Sequence, residues 1–364
     1  MSMEIPSFAV TNLTWLSVSL VTGEVIAELP NLQVSSVEYH LMETTTASAE
    51  LPWDGCPVNW YDATLPHGVA LLLVQDSVPL WGGVVKDAKR TPSGASIGIQ
   101  LETMECYLDA CPVGDASYVQ VSQTQIVADL VQRFAITGMR NCLTVTADTS
   151  STLRDRQYRD SEDKSVLSAI QELSNVQGGP EWGCWWRRTD AGGYECVVHV
   201  CDRYGSTSPV TDFDLAAMTE FSLDHEYSSG SGANRVRAVS TADGDVRPSS
   251  GWVTADDPER PVWSYSYTPS TSITSTDTLL SHAREKLASL NGGTRTLTIA
   301  LDLLSAPRLG VEWLVGDVVR WDAGDAAERF PDVSSSTARV IGFQISWEGS
   351  WTLTPILQEV DDGG

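Results

Sequence analysis

The segment from Glu181 to Cys201 has the highest concentration of side chains that could do chemistry. Alternating apolar residues on both sides of an Asp190–Gly193 turn predict a β-hairpin here. Because residues on a strand alternate between two faces, Cys196 and His199 face opposite sides. The sequence therefore predicts no metal site in the hairpin, although it has four side chains of zinc-binding types: Cys184, Cys196, Cys201 and His199.

Acidic residues beside tryptophan, a composition typical of sugar-binding clefts, occur twice. Glu181 precedes Trp182, and Asp54 lies between Trp53 and Trp60. Glycoside hydrolysis needs two carboxyl groups at a fixed separation, which is a property of the fold and not of the spacing. Since the chain has 48 acidic residues and 13 tryptophans, such neighbours also arise by chance. We expect no catalytic residue, and a polysaccharide-degrading or lectin-like protein is the alternative function.

Other site motifs are absent from the sequence. Its one GxSxG match, at 94–98, runs into the strand predicted over 97–101 and not into a helix, so the nucleophile elbow of a serine hydrolase is missing. The sequence has no Walker loop, GxGxxG or HExxH pattern. Asp224, His225 and Glu226 could bind an ion, but a solvated strand end explains them more simply. Arg187 and Arg188 form a small basic patch in a chain of net charge −25, which repels phosphate. We predict no cofactor, no bound metal and no specific binding of nucleic acid.

Length and composition indicate a folded protein of two to four modules. The chain has 364 residues, of which 42% are hydrophobic. It has no secretion signal at its start and no apolar run of about 20 residues, so we expect synthesis and folding in a cytoplasm. Seven cysteines without a CxxC pair are expected to be reduced, mostly buried thiols.

The order of predicted elements is strands, then helices with strands, then strands again. Alternating residues at 47–53, 69–74, 78–85 and 97–101 predict a compact barrel or sandwich. Three helices follow from apolar periodicity: one capped by Ser122 and Gln125, one capped by Asp160 or Ser161, and one over about 276–290. Residues 241–276 are rich in Ser, Thr, Asp and Pro and predict long loops or a small irregular subdomain.

Four segments resemble the tail hub proteins of long-tailed bacteriophages, also called minor tail, baseplate hub or tail-associated proteins. These segments are VALLLVQDSVPLWGGVV, YRDSEDKSVLSAIQELSNVQGGPEW, ANRVRAVS and HAREKLASLNGGTRTLTIALDLLSAPRLGVEWLVGDVVRW, the last leading into a GDVV turn. The resemblance implies a mainly β fold with α+β modules, containing two β-barrel-like tube domains, two peripheral subdomains and about three helices. The tube domains would be residues 1–108 and residues 216–240 joined to 293–364, with 109–215 and 241–292 peripheral.

The resemblance also implies a mechanical role in the virion. Three copies would form a hub that joins the tail tube and the distal tail protein to tip fibres or receptor-binding proteins. The hub would surround the channel for the tape measure protein and for genomic DNA, which passes through without specific binding. We expect assembly in the host bacterial cytoplasm and no membrane anchor. Trp182, Trp185 and Trp186 are expected to fill a core or a contact between subunits.

Overall fold

The computed structural model describes residues 13–91, 93–139, 141–176, 178–227, 231–240, 247–269, 275–322, 324, 329, 335–347 and 351–359. Strands account for 47% of the described residues and helices for 18%, which confirms the predicted mainly β fold. No helix in these ranges is long and apolar enough to span a membrane.

The strands follow one another through most of the described chain. Their bounds are β1 Leu13–Ser19, β2 Val25–Glu28, β3 Gln33–Val34, β4 Ser36–His40, β5 Thr46–Pro52, β6 Val69–Gln75, β7 Val78–Arg90, β8 Ser96–Glu102, β9 Ala116–Ser122, β10 Leu143–Ala147, β11 Leu153–Tyr158, β12 Glu181–Arg188, β13 Tyr194–Cys201, β14 Pro209–Asp214, β15 Met218–Glu226, β16 Arg235–Ala238, β17 Val253–Thr254, β18 Ser264–Tyr267, β19 Thr294–Asp302, β20 Val318–Asp322, β21 Ser335–Ser346 and β22 Thr352–Glu359.

The described residues contain five α-helices, two more than the periodicity predicted. They are α1 Trp60–Ala63, α2 Glu105–Asp109, α3 Gln123–Phe134, α4 Val166–Ser174 and α5 Thr276–Asn291. The three predicted helices are α3, α4 and α5, whereas α1 and α2 are single turns, too short to show a hydrophobic period.

The predicted cap of α4 is wrong, whereas the cap predicted for α3 is right in its position only. Helix α4 is capped by Ser165, whose hydroxyl accepts the Ser168 N–H at 3.1 Å, while Asp160 and Ser161 lie in a separate 3-10 turn. At the start of α3, Ser122 occupies the predicted N-cap position, but its hydroxyl contacts that of Thr124 at 3.1 Å and makes no capping hydrogen bond.

The first sheet has seven antiparallel strands in the order β2-β1-β6-β7-β8-β5-β3. Every residue of β6 is buried. The two edge strands, β2 and β3, are consecutive in the chain and are separated only by Leu29–Leu32, which turn with a 3.1 Å bond from Leu32 N–H to the Leu29 carbonyl. Four residues span little more than about 13 Å, so the sheet must curl to bring its edges together. This is the geometry of a barrel-like domain.

The second large sheet follows the order β14-β20-β21-β22-β19-β15, with β4 added on β21, and forms a half-barrel. Its edge strands β14 and β15 are again consecutive in the chain, with Leu215–Ala217 between them. Strands β15 and β19 lead the chain out of the larger compact unit and back into it.

Strand β4 joins the two large sheets. It lies in the chain between β3 and β5, which belong to the first sheet, yet it pairs with β21 of the second. Five residue pairs connect Ser36–His40 to Gly342–Ser346 in antiparallel register. The amino-terminal and carboxy-terminal β regions are therefore joined by backbone pairing.

Between these regions lies an α+β module. Helix α3 packs on β10 and β13 of the three-stranded sheet β10-β13-β12, α4 packs against α2 and α3, and β9 pairs with β11. The predicted hairpin is confirmed as β12 and β13. The hydrophobic core that includes the apolar faces of α3 and α4 also contains two tryptophans and two cysteines of this hairpin: Trp182, Trp186, Cys184 and Cys196.

The chain divides into two compact units, one of residues 1–219 with 300–364 and one of residues 220–299. The smaller unit contains the sheet β17-β16-β18 and helix α5. Strands β17 and β18 fall in the region predicted to be loops or an irregular subdomain, whereas 241–246 and 270–274 lie outside the described residues. The division into four subdomains stays a prediction.

Candidate assembly surface

The three tryptophans of β12 do not share one environment. Trp182 is entirely buried and Trp186 nearly so, both in the core shared with α3 and α4. Trp185 points to the other face of the strand, is half-buried and contacts Tyr39 of β4 with ring centroids 4.5 Å apart. Alternation on the strand thus places one tryptophan of three at the boundary with the β4–β21 pair. A role for these residues between subunits stays a prediction, and only Trp185 is positioned on this outer face.

Glu181 shares that face and forms a bidentate ion pair with Arg339 of β21. Arg339 Nη1 donates to Glu181 Oε1 at 2.8 Å, and Nη2 donates to Oε2. The Tyr204 N–H also donates to Oε2 at 2.6 Å. The two side chains are 19% and 12% exposed. Because both carboxylate oxygens are engaged, Glu181 fixes the hairpin to β21 and is not available as the acid of a sugar cleft.

Two glycine turns interlock beside this ion pair. Gly205 and Gly316 both have positive φ, +73° and +99°. A Cβ on Gly205 would clash with the backbone of Gly316, and a Cβ on Gly316 would lie 2.7 Å from the Cβ of Tyr204. The Ser206 N–H donates to Asp317 Oδ1 at 2.7 Å. The GDVV sequence that carried the family resemblance therefore has a structural role. Its Gly316 leaves room for the close approach of Gly205, and its Asp317 accepts a hydrogen bond from Ser206.

A groove of about 430 Å³ lies where three chain segments meet. The segments are the β6–β7 turn, the β12–β13 hairpin and the loop 309–315. Trp185 and Tyr204 line it together with Leu314, which is 49% exposed. Arg187 and Arg188 border the groove, and Arg187 pairs with Glu195 at 2.6 Å. An apolar groove with a polar border is a surface suited to protein contact.

The cysteines behave as core residues. A hydrogen bond with Cys196, together with burial, raises the pKa of Cys184 well above its ordinary value. Burial raises the pKa of Cys201 to about 12. His199 faces the other side, as its parity predicted, and lies 3.1 Å from Asp148. Within the described ranges, no group of three His, Cys, Asp or Glu side chains could hold a metal.

Nothing in the sequence pattern indicates that the carboxyl group of Glu105 is buried. Glu105 is the first residue of α2, and its side chain is fully buried. Within the described part of the chain, its carboxyl oxygens accept no well-aligned hydrogen bond. Burial raises its pKa from 4.5 to about 7. Glu105 in turn contributes, after burial itself, to raising the pKa of Tyr39. A protonatable group thus lies under the surface that carries Trp185.

The remaining sequence candidates are not among the residues of this surface. Trp53 and Trp60 pack edge to face at 5.1 Å, and the Arg90 guanidinium lies 5.3 Å from the Trp60 ring centre. Asp54 accepts the Asn31 side-chain amide through its backbone carbonyl at 3.3 Å. The residues Asp224, His225 and Glu226 are exposed at the end of β15, as expected for a solvated strand end.

No protein-family model matches the sequence, and no curated protein matches it significantly. Solved structures do share its fold. The 43 kDa tail protein of prophage MuSo2 from Shewanella oneidensis superposes with a TM-score of 0.53 at 8% identity, covering 95% of this chain and 98% of that one. The tail protein of Neisseria meningitidis MC58 gives 0.53 at 14% identity, covering 96% and 97%. The chain has the fold of phage tail proteins.

The tail-protein fold extends to a secretion system component. The Escherichia coli c3393 protein superposes with a TM-score of 0.51 at 14% identity, covering 97% of this chain and 76% of that one. It is described as a component of the type VI secretion system that is structurally similar to the T4 tail proteins gp27 and gp5. The predicted resemblance to tail hub proteins is thus confirmed at the level of the fold.

Proposed function

We propose that this chain is a structural subunit of a phage tail tip, and that three copies form a hub ring. One observation carries the proposal: a single chain contains two large curled sheets joined through the β4–β21 pair. Three such chains supply six β domains. Six domains at similar radius would continue a sixfold tail tube while the hub itself keeps threefold symmetry.

The partners follow from this position. One end of the ring would bind the tail tube and distal tail proteins, and the other would carry tip fibres or receptor-binding proteins. The tape measure protein and genomic DNA would pass through the channel. A net charge of −25 suits a channel wall past which DNA slides, because a basic wall would bind its phosphates. The protein would reside in the virion after assembly in the bacterial cytoplasm.

The role is proposed as mechanical and not enzymatic. Glu181, the leading acid for a polysaccharide-cleaving alternative, is bound on both oxygens by Arg339. Asp54 lies beside the Trp53–Trp60 ring pair. A lectin-like activity would have to use this aromatic pair.

Mass measurement and imaging test the proposal together. Light scattering of the purified chain over a range of concentrations, alone and with tube and distal tail proteins, should give a trimer. Electron microscopy of that trimer should show a ring with a central channel. A chain that stays monomeric with both tail partners present, and that releases sugar from bacterial cell walls, would contradict the hub.

A further inference from the structure

The small sheet of residues 220–299 has one covered face and one open face. Alternation along β16 directs Val236 and Ala238, both fully buried, toward α5. Arg235 and Arg237 therefore lie on the opposite face. In register with them on β18 are two exposed serines, and Trp252, which precedes β17, is 43% exposed. The Arg–Trp face is defined here by these five residues: Arg235, Arg237, Trp252, Ser264 and Ser266.

The two guanidinium groups are held side by side. Arg235 Nε donates to Ser264 Oγ at 2.8 Å, and Arg237 Nε donates to Ser266 Oγ at 3.4 Å. Their central carbons lie 4.6 and 4.7 Å from the Trp252 ring centre. No carboxylate in the described ranges pairs with either arginine. Since each Nε is engaged, the Nη groups remain for an external acceptor, and guanidinium groups bind carboxylates in bidentate geometry.

An aromatic cavity adjoins the Arg–Trp face and shares Ser264 with it. The cavity has a volume of about 570 Å³, and its walls include Tyr227, Trp263 and Tyr265. Trp263 is 63% exposed. Arg260 also lines the cavity, and its guanidinium group lies 5.2 Å from the Tyr227 ring centre. The same group donates hydrogen bonds to Asp257 and Asn291. Trp, Tyr and Arg around a cavity are the residue types that dominate binding energy in protein interfaces.

We infer that the Arg–Trp face and its adjoining cavity contact a second copy of this chain. Carboxylates of that copy bind Arg235 and Arg237, and one of its apolar side chains enters the cavity. Charge selects this occupant. Each copy has a net charge of −25, so two copies repel, and contact is favoured where one copy supplies guanidinium groups that no carboxylate of its described residues neutralises. The inference rests on the oligomer proposed above and names one of its contacts.

Charge reversal with a matched control tests the contact. The masses of the wild type, R235E/R237E and R284E/K286E are measured by light scattering over a concentration series. Both variants change the net charge equally, but Arg284 and Lys286 lie on α5, the element on the covered face. At about 0.05 M salt we expect R235E/R237E to weaken association at least about tenfold and the control to stay within about twofold. The difference should shrink at about 1 M salt, where screening acts over about 3 Å.

A second variant and a second readout exclude a folding defect. W252A keeps the charge but removes the ring that holds the guanidinium groups, and it should weaken association about fivefold or more. Circular dichroism melting of each variant verifies that it is folded. Folded R235E/R237E that associates like the wild type would overturn the contact, as would a wild type that is monomeric at every concentration.

Two further results separate the inference from the hub proposal. An unchanged ring of R235E/R237E with tube and distal tail proteins would leave the hub intact and remove this contact from it. Retention of the wild type on a polyglutamate resin, lost in R235E/R237E without any change in mass, would assign the face to a different acidic protein. That outcome would also overturn the self-contact.

Discussion

Arg339 and Glu181 form a bidentate ion pair that links the α+β module to strand β21. Arg339 also donates to the carbonyls of Tyr204 and Gly316, at 3.0 and 3.2 Å. One guanidinium group thus joins β12, the 204–206 turn and the GDVV turn. The pair contributes mainly by fixing these three segments in one arrangement.

Breaking this ion pair should be costly. We expect R339A or E181A to lower the free energy of unfolding by about 3 kcal/mol, because each leaves a largely buried charge without its partner. Denaturant unfolding measures the change. The control is R320A, which breaks the exposed Arg320–Asp212 pair, with side chains 59% and 50% exposed, and should cost far less because solvent screens this pair. Equal losses in R339A and R320A would contradict the structural role of the Glu181 pair.

Alanine substitutions at Gly205 and Gly316 should distinguish two contributions to the loss of unfolding free energy: the steric clash of the added Cβ and the strain of a positive φ. G205A and G316A each combine a positive φ with a close backbone contact, so we expect a loss of at least about 2 kcal/mol. G192A is the matched control, since Gly192 has φ +89° but no atom near the position of an added Cβ. It should cost only about 1 kcal/mol. Thermal unfolding ranks the three variants, and a G192A loss as large as the others would remove the interlock as their cause.

The buried carboxyl of Glu105 should make stability depend on pH. Its pKa of about 7 in the folded chain lies above the ordinary 4.5. The folded state therefore keeps a proton that the unfolded state loses between these values, so the stabilising contribution is complete below about pH 4.5 and is lost as the pH rises through 7. The gap corresponds to at most about 3 kcal/mol.

The variant E105Q removes this titration. We expect the stability of E105Q relative to the wild type to increase between about pH 5 and about pH 8. Comparing the two pH values cancels any constant cost of burying the amide. Chemical denaturation at both values supplies the measurement, and a difference that does not change with pH would refute the assignment.

Removing a buried hydroxyl from β4 should be harmless or favourable. The Tyr39 hydroxyl is buried and has no hydrogen-bond partner among the residues that the structure describes, so Y39F should raise the free energy of unfolding by up to about 1 kcal/mol. Y107F makes the contrast, because Tyr107 donates to the Ala135 carbonyl at 3.0 Å and its loss should cost about 1 kcal/mol. Denaturation of both variants should give opposite signs, and destabilisation of Y39F would indicate a partner for its hydroxyl.

The sequence predicted features that depend on local alternation and failed on features set by long-range pairing. Parity alone placed His199 opposite Cys196, and alternation gave the β12–β13 hairpin. Strand β4 alternates as well, with Val37 and Tyr39 buried, but alternation cannot say which sheet a strand joins. Glu105 looks like any surface acid in sequence, since its burial depends on elements far away in the chain. The cap of α4 was misplaced because several polar residues precede the helix and only one of them has the required geometry.

The position of β4 has a mechanical consequence. Because β4 is continuous with strands of the first sheet at both of its ends, the two large sheets cannot separate by peeling a free terminus. A pull along the strand axis loads the five β4–β21 residue pairs together and not one after another. Tension applied to one sheet is therefore transmitted directly to the other through the β4–β21 pair.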